Sequence, residues 1–393
     1  MGKTDIIIIG AGASGLMCAI EAGKRGRRVL VLDHQKKVGQ KVLMSGGGRC
    51  NFTNLQVDAS NYVSKNPHFC KSTLSRFTQW DFIERMTDHN ITFHERDHGQ
   101  LFCDNSAADI LEMLVTQCRD AGVEFLLETT IKSVEREKDR AFLVATNRGD
   151  FKTSSLVVAT GGLSIPGVGA SPLGYRIAES FNINVWPPSP ALVPFTLQPR
   201  EKKCLSGLSG MSVDAVVSCG QTSFRENLLF THRGLSGPVI LQISVYWEPG
   251  QSILVNLLPG VDLLSRLKQA QTERPRQKMK SMLAALLPKR LVQAMVPDDL
   301  AEAALGSVSH LRFEEIVAGL TQWEVKPGGT EGYRTAEVTR GGVDCDAISS
   351  KTMESNSETG LFFVGEVLDV TGWLGGYNLQ WAWSSGWVAG QHA

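Results

Sequence analysis

The chain has 393 residues, of which 42% are hydrophobic, so it is long enough to bury more than one core. Forty Lys and Arg balance forty Asp and Glu, so net charge gives no long-range attraction to nucleic acid. No run approaches the roughly 20 apolar residues of a membrane-spanning helix, and glycines interrupt the apolar N-terminal run that a secretory signal would need. We therefore expect a soluble, cytoplasmic, globular protein of two or three domains that has no membrane partner.

The cysteine and histidine patterns argue against a metal or disulfide centre. Eight cysteines are scattered along the chain, and no two of them form a Cys-x-x-Cys pair. His94 and His98 lie four residues apart, but their charged neighbours favour a solvated loop, and a third ligand is missing. We expect reduced thiols and no metal site.

The first 33 residues carry a nucleotide-binding pattern. A buried strand is predicted at 5–9, then a glycine turn, a helix to about Arg25 and a second strand at 29–32. The turn reads Gly-Ala-Gly-Ala-Ser-Gly from Gly10 to Gly15, and Asp33 follows eighteen residues later. In such a fingerprint the glycines allow a tight turn and bring backbone N–H groups close to a pyrophosphate, while the acid accepts from ribose hydroxyls. We therefore predict a dinucleotide site on a Rossmann-like domain.

Hydrophobic periodicity then divides the rest of the chain. A helix capped by Ser106 and strands near 123–127, 129–134, 141–146 and 155–159 continue the α/β domain. A proline cluster at 187–199 indicates a boundary, after which alternating strands and then a helical segment follow. The predicted division is a Rossmann-like domain at 1–190 and 336–393, a β-rich domain at 191–260 and 322–335, and a helical domain at 261–321.

Further glycine motifs favour FAD over NAD as the dinucleotide. Thr160-Gly161 ends a strand where a backbone can pass close to the cofactor. Gly365-Glu366 follows another predicted strand, and Gly375-Gly376 opens the last helix, whose N-terminus suits a flavin carbonyl or a phosphate. Glu366 is expected to accept from ribityl hydroxyls. One complete fingerprint leaves no dedicated NAD(P)H domain, so NAD(P)H is expected only as a transient reductant.

Four long segments carry a family resemblance. They read Lys-Val-Leu-Met-Ser-Gly-Gly-Gly-Arg-Cys-Asn from Lys41, Leu-Phe-Thr-His-Arg-Gly-Leu-Ser-Gly-Pro from Leu229, Glu-Val-Thr-Arg-Gly-Gly-Val from Glu337 and Gly-Glu-Val-Leu-Asp-Val-Thr-Gly-Trp-Leu-Gly-Gly-Tyr-Asn from Gly365. Over nearly its whole length the chain resembles the bacterial BaiN/YhiN (RdsA) family of FAD-dependent oxidoreductases, and it is most similar to the YhiN branch. The resemblance implies an α/β fold in which a two-segment FAD-binding Rossmann-like domain is interrupted by a β-barrel-like domain and a helical domain.

The predicted FAD-contacting residues come from these motifs and from the adjoining strands. They are Gly10, Gly12, Ala13, Ser14, Gly15, Asp33, Lys41, Ser45, Gly46, Gly47, Gly48, Arg49, Asn51, Ile131, Thr160, Gly161, Gly365, Glu366, Asp369, Gly375, Gly376, Tyr377, Asn378 and Leu379.

Three residues are candidates for catalysis. Arg49 has the charge to stabilise the anion of a reduced flavin. Cys50 is a candidate proton donor opposite a transferred hydride, although packing as a small buried residue explains it equally well. His232 is a candidate catalytic histidine or a tether of the inserted segment. The tryptophans near the last helix are expected to pack.

The expected reaction is reduction of a polarised double bond by flavin hydride. The resemblance implies two substrates, a uridine of 23S rRNA that becomes dihydrouridine, which we favour, and a small enone or oxo-steroid-like molecule. Alternatives from other classes are a non-catalytic flavin-containing RNA- or ribosome-binding factor and a small-amine oxidase.

A basic segment within the predicted helical domain is a candidate contact for 23S rRNA. The alternative is that these basic residues form the ordinary solvated side of amphipathic helices and contact no RNA. The basic residues are Arg266, Lys268, Arg274, Arg276, Lys278, Lys280, Lys289 and Arg290.

Overall fold

The computed structural model describes residues 4–138 and 140–393. In chain order the strands are β1 (Ile6–Ile9), β2 (Val29–Leu32), β3 (Asn51–Asn54), β4 (Tyr62–Val63), β5 (Phe93–Arg96), β6 (Gln100–Cys103), β7 (Glu124–Leu126), β8 (Ile131–Arg136), β9 (Phe142–Thr146), β10 (Gly149–Thr153), β11 (Ser155–Val158), β12 (Val185–Ala191), β13 (Phe195–Thr196), β14 (Ser212–Cys219), β15 (Thr222–Phe230), β16 (Gly234–Ser236), β17 (Ile253–Asn256), β18 (Trp323–Val325), β19 (Gly329–Thr330), β20 (Val338–Val343), β21 (Leu361–Phe363) and β22 (Thr371–Gly372).

The helices are distributed between these strands. They are α1 (Ala13–Lys24), α2 (Gln40–Met44), α3 (Phe69–Arg76), α4 (Gln79–Asp88), α5 (Ala107–Asp120), α6 (Leu173–Ser180), α7 (Pro199–Cys204), α8 (Pro238–Ser244), α9 (Leu263–Glu273), α10 (Met279–Leu283), α11 (Lys289–Met295), α12 (Asp298–Glu302), α13 (His310–Thr321) and α14 (Tyr377–His392).

The chain forms two compact units. Unit 1 comprises residues 1–190 and 337–393, and unit 2 comprises residues 191–336. Each unit has its own apolar core. In unit 2 the strands and the helices of 263–321 share one core, and the separation of a β-rich from a helical domain stays a prediction.

The central sheet of unit 1 is parallel, with the strand order β21-β11-β1-β2-β7. Strands β1, β2, β11 and β21 are buried along their whole length, as expected for apolar strands covered on both faces. The chain leaves β1 through α1 to β2 on one side, whereas β11 lies on the other side. The carboxyl end of β1 is therefore a topological switch point, the usual place for a ligand in such sheets.

The C-terminal segment completes unit 1. Strand β21 extends the parallel sheet, and α14 packs against α1 so closely that a side chain at Gly386 would meet the carbonyl oxygen of Ser14 at 2.4 Å. The predicted Rossmann-like α/β fold in two chain segments is thus confirmed.

Unit 2 contains a seven-stranded antiparallel sheet in the order β18-β17-β14-β15-β16-β13-β19. Its strands at 212–219, 222–230 and 253–256 match the predicted alternating segments. The apolar faces of the sheet and of helices α9 to α13 meet in the core of this unit.

The segment between β3 and β6 departs from the sequence prediction. The sequence predicts a solvated loop around His94, but this residue lies in β5, which pairs with β6 in an antiparallel hairpin. His98 occupies the turn of that hairpin with a left-handed φ of 61°. Three of the four residues of β5 are polar or charged, so the sequence does not show the alternation typical of a strand. Phe93 alone packs on the core, where it contacts Phe52 edge to face.

Burial of one tryptophan gives a testable prediction for stability. Trp383 is fully buried, its ring stacks on Phe82 at 4.5 Å, and its Nε1 donates to the carbonyl oxygen of Phe52. We expect Trp383→Ala to lower the free energy of unfolding by about 3–5 kcal/mol, because it removes these contacts and leaves a cavity. Equilibrium urea unfolding followed by circular dichroism measures the change.

The matched control is Trp80→Ala. The Trp80 side chain is 58% exposed, so its removal should change the free energy of unfolding by no more than about 0.5 kcal/mol. Equal losses for the two variants would contradict the packing role of Trp383.

Candidate functional site

The glycine turn after β1 depends on close backbone contact. Gly10 has a φ of 112°, and a side chain there would lie 2.3 Å from the carbonyl oxygen of Ala159, which follows β11. A side chain at Gly15 would lie 2.0 Å from the carbonyl oxygen of Gly10. Both positions therefore need glycine for the fold itself.

The N-terminus of α1 has different surroundings. Its first residues, Ala13 and Ser14, follow Gly12, which caps the helix without a side-chain hydrogen bond. A side chain at Gly12 would meet no atom within 4 Å among the described residues. The start of the helix thus borders open space at Gly12, and helix N-termini with free N–H groups commonly bind a pyrophosphate.

Asp33 lies one residue beyond β2, at the same edge of the sheet. One carboxylate oxygen accepts from the backbone N–H of Ala11 at 2.7 Å, and the other accepts from that of Gln35 at 2.8 Å. The carboxylate is therefore fixed beside the glycine turn. Each of its oxygens retains a lone pair, so the predicted bond to a ribose hydroxyl is still available to it.

Glu366 is the centre of a polar network. One carboxylate oxygen accepts from Lys41 Nζ at 2.7 Å, and the other accepts from the backbone N–H of Thr339 at 2.8 Å and from Ser164 Oγ at 3.1 Å. Lys41 Nζ also donates to Ser164 Oγ at 2.5 Å. Ser164 and Thr339 are buried, so the carboxylate is held rigidly. Lys41 thus neutralises Glu366 in this structure.

Two features beside this network fit a bound dinucleotide. The hydroxyl of Thr160 is buried and has no hydrogen-bond partner among residues 4–138 and 140–393, so a polar ligand atom would satisfy it. Gly161 follows with a φ of 70°, and Gly365 adopts a φ of 75° at the end of β21. Both glycines keep the backbone free of side chains at this edge of the sheet.

The loop after α2 has an unusual backbone. Gly46, Gly47 and Gly48 all have positive φ, and a side chain at Gly47 or Gly48 would meet nothing within 4 Å among the described residues. Ser45 begins the loop and donates from Oγ to the carbonyl oxygen of Val42. Three consecutive bare backbone units leave room for a planar ring to approach the chain closely.

The side chains that follow this loop point in different directions. Arg49 is exposed, as its predicted role requires. Asn51 is hydrogen-bonded at 2.9 Å to the side-chain amide of Gln100, and a side chain at Gly376 would lie 2.9 Å from Asn51 Oδ1. Asn51 therefore joins the end of the loop to β6 and lies next to Gly376.

Cys50 is fully buried, with a φ of 50°. Burial raises the pKa of its thiol to about 12. A thiol that delivers a proton to a substrate must open onto the substrate's site, whereas protein atoms enclose the side chain of Cys50. The geometry therefore favours the packing role of Cys50 over the proton-donor role.

Several C-terminal site candidates shape the loop before α14. Asn378 accepts from the backbone N–H of Gly372 at 2.8 Å and donates to its carbonyl oxygen at 2.9 Å. The carbonyl oxygen of Tyr377 accepts from Tyr62 Oη. These bonds hold Gly375 and Gly376 in their left-handed conformations.

Asp369 also has a partner within the protein. Its buried carboxylate accepts from the backbone N–H of Lys65 at 2.8 Å, and burial raises its pKa above the usual range. Leu379 is half-buried in the first turn of α14.

Two of the predicted site residues take no part in the hydrogen bonds described above. Ile131 begins β8 and packs partly buried against the core of unit 1. His232 is exposed in unit 2, in the short loop between β15 and β16. Sequence reasoning missed Ser164, Thr339 and Gln100, since an isolated Ser, Thr or Gln carries no signal until the fold places it beside a charged or polar partner.

Comparison with known proteins identifies the family. The HI0933-like protein Rossmann domain matches residues 4–392. The chain belongs to this family. With the Rossmann turn, the bare glycine loop and the unpartnered Thr160 hydroxyl, membership assigns FAD as the cofactor and makes the protein a flavin-dependent oxidoreductase.

Three relatives align with this chain over nearly its full length. The chain is 52% identical to a ribosomal RNA dihydrouridine synthase of Escherichia coli, with alignment over 100% of this chain and 98% of the relative. It is 51% identical to the Haemophilus influenzae protein of the same name over 98% of this chain and 97% of that one. A 3-dehydro-bile acid delta(4,6)-reductase of Clostridium scindens is 28% identical over 98% of both chains.

Solved structures share the fold at low identity. A 3-ketosteroid-delta4-(5alpha)-dehydrogenase of Rhodococcus jostii has a TM-score of 0.50 at 13% identity and covers 99% of this chain and 97% of its own. The E. coli quinol fumarate reductase subunit FrdA has a TM-score of 0.50 at 16% identity, over 99% of this chain and 69% of that one.

Neither a membrane helix nor a metal cluster was found in the described part of the chain. No helix at 4–138 or 140–393 is long and apolar enough to cross a bilayer. Within the same ranges, no group of three His, Cys, Asp or Glu residues is placed to hold a metal ion.

The two fingerprint glycines provide a test of where the cofactor binds. We expect Gly12→Ala to leave the free energy of unfolding of the FAD-free protein nearly unchanged, because its new methyl group meets no protein atom. It should weaken FAD binding at least tenfold, because the methyl group occupies space at the helix N-terminus. Fluorescence titration of the FAD-free protein with FAD measures the affinity.

Gly10→Ala is the contrasting variant. Its methyl group collides with the carbonyl oxygen of Ala159, so both the urea midpoint of the FAD-free protein and its FAD affinity should fall. Unchanged FAD affinity in Gly12→Ala would place the cofactor elsewhere.

Proposed function

We propose that this protein reduces a uridine of 23S rRNA to dihydrouridine with electrons from bound FAD. The observation that carries the proposal is 52% and 51% identity to two ribosomal RNA dihydrouridine synthases over at least 97% of their lengths. A ribosomal substrate implies that the protein acts in the cytoplasm.

The residues of unit 1 would hold FAD in three parts. The glycine turn and α1 bind the pyrophosphate, Asp33 binds the adenosine ribose, and Glu366 binds ribityl hydroxyls. The bare backbone of the glycine loop at 46–48 would border the flavin. When bound, FAD supplies a hydride to one carbon of a double bond that a carbonyl group polarises.

The protein must stabilise charge and deliver a proton to the other carbon of that bond. Exposed Arg49, next to the glycine loop, supplies a positive charge that stabilises an anion at the ring edge. Cys50 is inaccessible, which leaves His232, exposed in unit 2, as the catalytic candidate from the sequence analysis. NAD(P)H is the proposed reductant, which reaches the flavin transiently because the chain has one dinucleotide fingerprint.

A second candidate function is reduction of a small enone or oxo-steroid-like molecule. The 28% identity to a bile-acid reductase over 98% of both chains favours it, and it uses the same hydride chemistry. It ranks below the rRNA reaction because the identity to the rRNA enzymes is nearly twice as high.

The direct test is nucleoside mass spectrometry of digested 23S rRNA from cells with and without the gene. We expect dihydrouridine to be lost without the gene and restored by the purified flavoprotein with NAD(P)H. Cys50→Ser should restore it as the wild type does, whereas His232→Asn should restore much less.

Other results would redirect the assignment. An unchanged nucleoside profile would contradict rRNA reduction and favour the small enone. Loss of activity in Cys50→Ser with normal FAD content would return Cys50 to the candidate proton donors.

The basic segment in unit 2 is the proposed contact with rRNA phosphates. The structure divides its cations, since Lys278 and Lys280 both form ion pairs with Glu302 and hold the pKa of that carboxyl at about 2. Arg274 and Arg276 are exposed and make no ion pair among the described residues. The same holds for Arg266, Lys268, Lys289 and Arg290, so six of the eight cations of the segment are available to phosphate.

Charge reversal tests this interaction. We expect the double variant Arg274→Glu with Arg276→Glu to bind rRNA more weakly. The plot of log affinity against log salt should also become less steep, by about 0.7–0.9 for each phosphate that the variant no longer neutralises. Filter binding at several salt concentrations measures both quantities.

The control is Lys202→Glu with Lys203→Glu, which changes the net charge equally at the exposed end of α7. Equal weakening in the two double variants would attribute the effect to net charge and contradict a specific contact.

A further inference from the structure

The hairpin of β5 and β6 carries a layered group of side chains, named here the Arg96 stack. The Arg96 guanidinium carbon lies 4.1 Å from the centroid of the Phe102 ring. The ring of His94 lies nearly parallel to that of Phe102, at 18° and a centroid distance of 6.1 Å. Arg96 and His94 thus both lie next to the Phe102 ring on one face of the hairpin.

Strand alternation separates the carboxylate of Glu95 from the stack, whereas that of Asp104 is hydrogen-bonded to His94. Phe93 and Glu95 point to one face of β5, and Phe93 packs on Phe52 in the core. His94 and Arg96 point to the other face, where Phe102 lies directly opposite His94 in the strand register. Glu95 therefore faces away from the guanidinium.

Hydrogen bonds fix the orientation of the stack. Arg96 Nε donates to His94 Nε2 at 3.1 Å, so the imidazole proton is on Nδ1, which donates to Asp104 at 2.7 Å. The guanidinium is oriented before any ligand binds, while Arg96 itself is exposed. The guanidinium lies over the Phe102 ring, and the exposure of Arg96 leaves it accessible to solvent.

The stack adjoins the glycine loop of the candidate FAD site. The ring of Phe102 approaches within 2.9 Å of the position that a side chain at Gly46 would occupy. The carbonyl oxygen of Arg49 accepts from the backbone N–H of Cys103 at 3.0 Å, and Arg49 is exposed next to the loop. The backbone of a second cationic residue, Arg49, is therefore paired with the residue that follows Phe102.

We infer that the outer face of Arg96 stacks on an unpaired RNA base next to the nucleotide that is reduced. This inference rests on the proposed function, since it names how that substrate is held. Sequence-tolerant binding of single-stranded RNA commonly uses bases stacked on aromatic rings or on guanidinium planes, with nearby cations on the backbone. The Arg96 stack offers such a plane, and Arg49 offers a cation for the adjoining phosphate or carbonyl group.

The chain provides a matched control for removal of a guanidinium–aromatic pair. Arg136 on β8 lies 4.2 Å from the centroid of the Phe142 ring, also within unit 1. Its hairpin is formed with β9, whereas the glycine loop pairs with the β5–β6 hairpin through β3. Arg136→Ala removes a half-buried guanidinium–aromatic pair and the same charge at a position outside the Arg96 stack.

The experiment is fluorescence anisotropy of a labelled, unstructured, uridine-rich RNA strand titrated with FAD-loaded protein. We expect Arg96→Ala to weaken binding about tenfold, the effect typical of one stacked base. Arg96→Lys should weaken it to a similar extent, because it keeps the charge but lacks the plane. Arg136→Ala should bind as the wild type does, and the visible flavin spectrum and urea midpoint verify that each variant is folded.

Two results would overturn the inference. Wild-type affinity in Arg96→Ala shows that the stack does not touch RNA, and wild-type affinity in Arg96→Lys shows a phosphate contact in place of stacking. Dihydrouridine analysis separates this outcome from failure of the proposed function. If the wild type restores dihydrouridine while Arg96→Ala binds RNA normally, only the stacking inference fails; if RNA binding needs Arg96 but no dihydrouridine is restored, only the proposed reaction fails.

Discussion

The carboxylate of Glu366 joins parts of the chain that are distant in sequence. It accepts from Lys41 beside the glycine loop, from Ser164 after β11 and from the backbone of Thr339 where the chain re-enters unit 1. A half-buried carboxylate without such donors would be costly, so the partners must be in place together. The geometry of the whole carboxyl edge of the sheet therefore depends on this network.

Glycine has two different purposes at this edge. At Gly10 and Gly15 the protein backbone itself fills the space of a side chain, so glycine is needed for folding. At Gly12, Gly47 and Gly48 the space is open, so glycine there leaves room for a ligand. This difference separates the residues that build the fold from those that the cofactor requires, and the sequence motif alone does not reveal it.

Burial changes the assignment of the catalytic groups. Cys50 lies between a glycine loop and an asparagine that both belong to the site, yet its own side chain turns into the core. The accessible polar groups beside the loop are Arg49 and, across the β3–β6 pairing, the Arg96 stack. Burial therefore argues against a thiol as the proton donor at this site.

The sequence by itself determined the Rossmann-like fold, the FAD fingerprint and the family, because these depend on local strand–turn–helix patterns and on long uninterrupted motifs. It also predicted the helix capped by Ser106, whose hydroxyl accepts from the N–H of Ala108. Only the tertiary structure decided that Cys50 is inaccessible, that Asn378 and Asp369 bind backbone groups of the protein itself, and that β5 is a strand. Those properties depend on contacts between residues up to several hundred positions apart, and side-chain direction and burial follow from such contacts and not from local sequence.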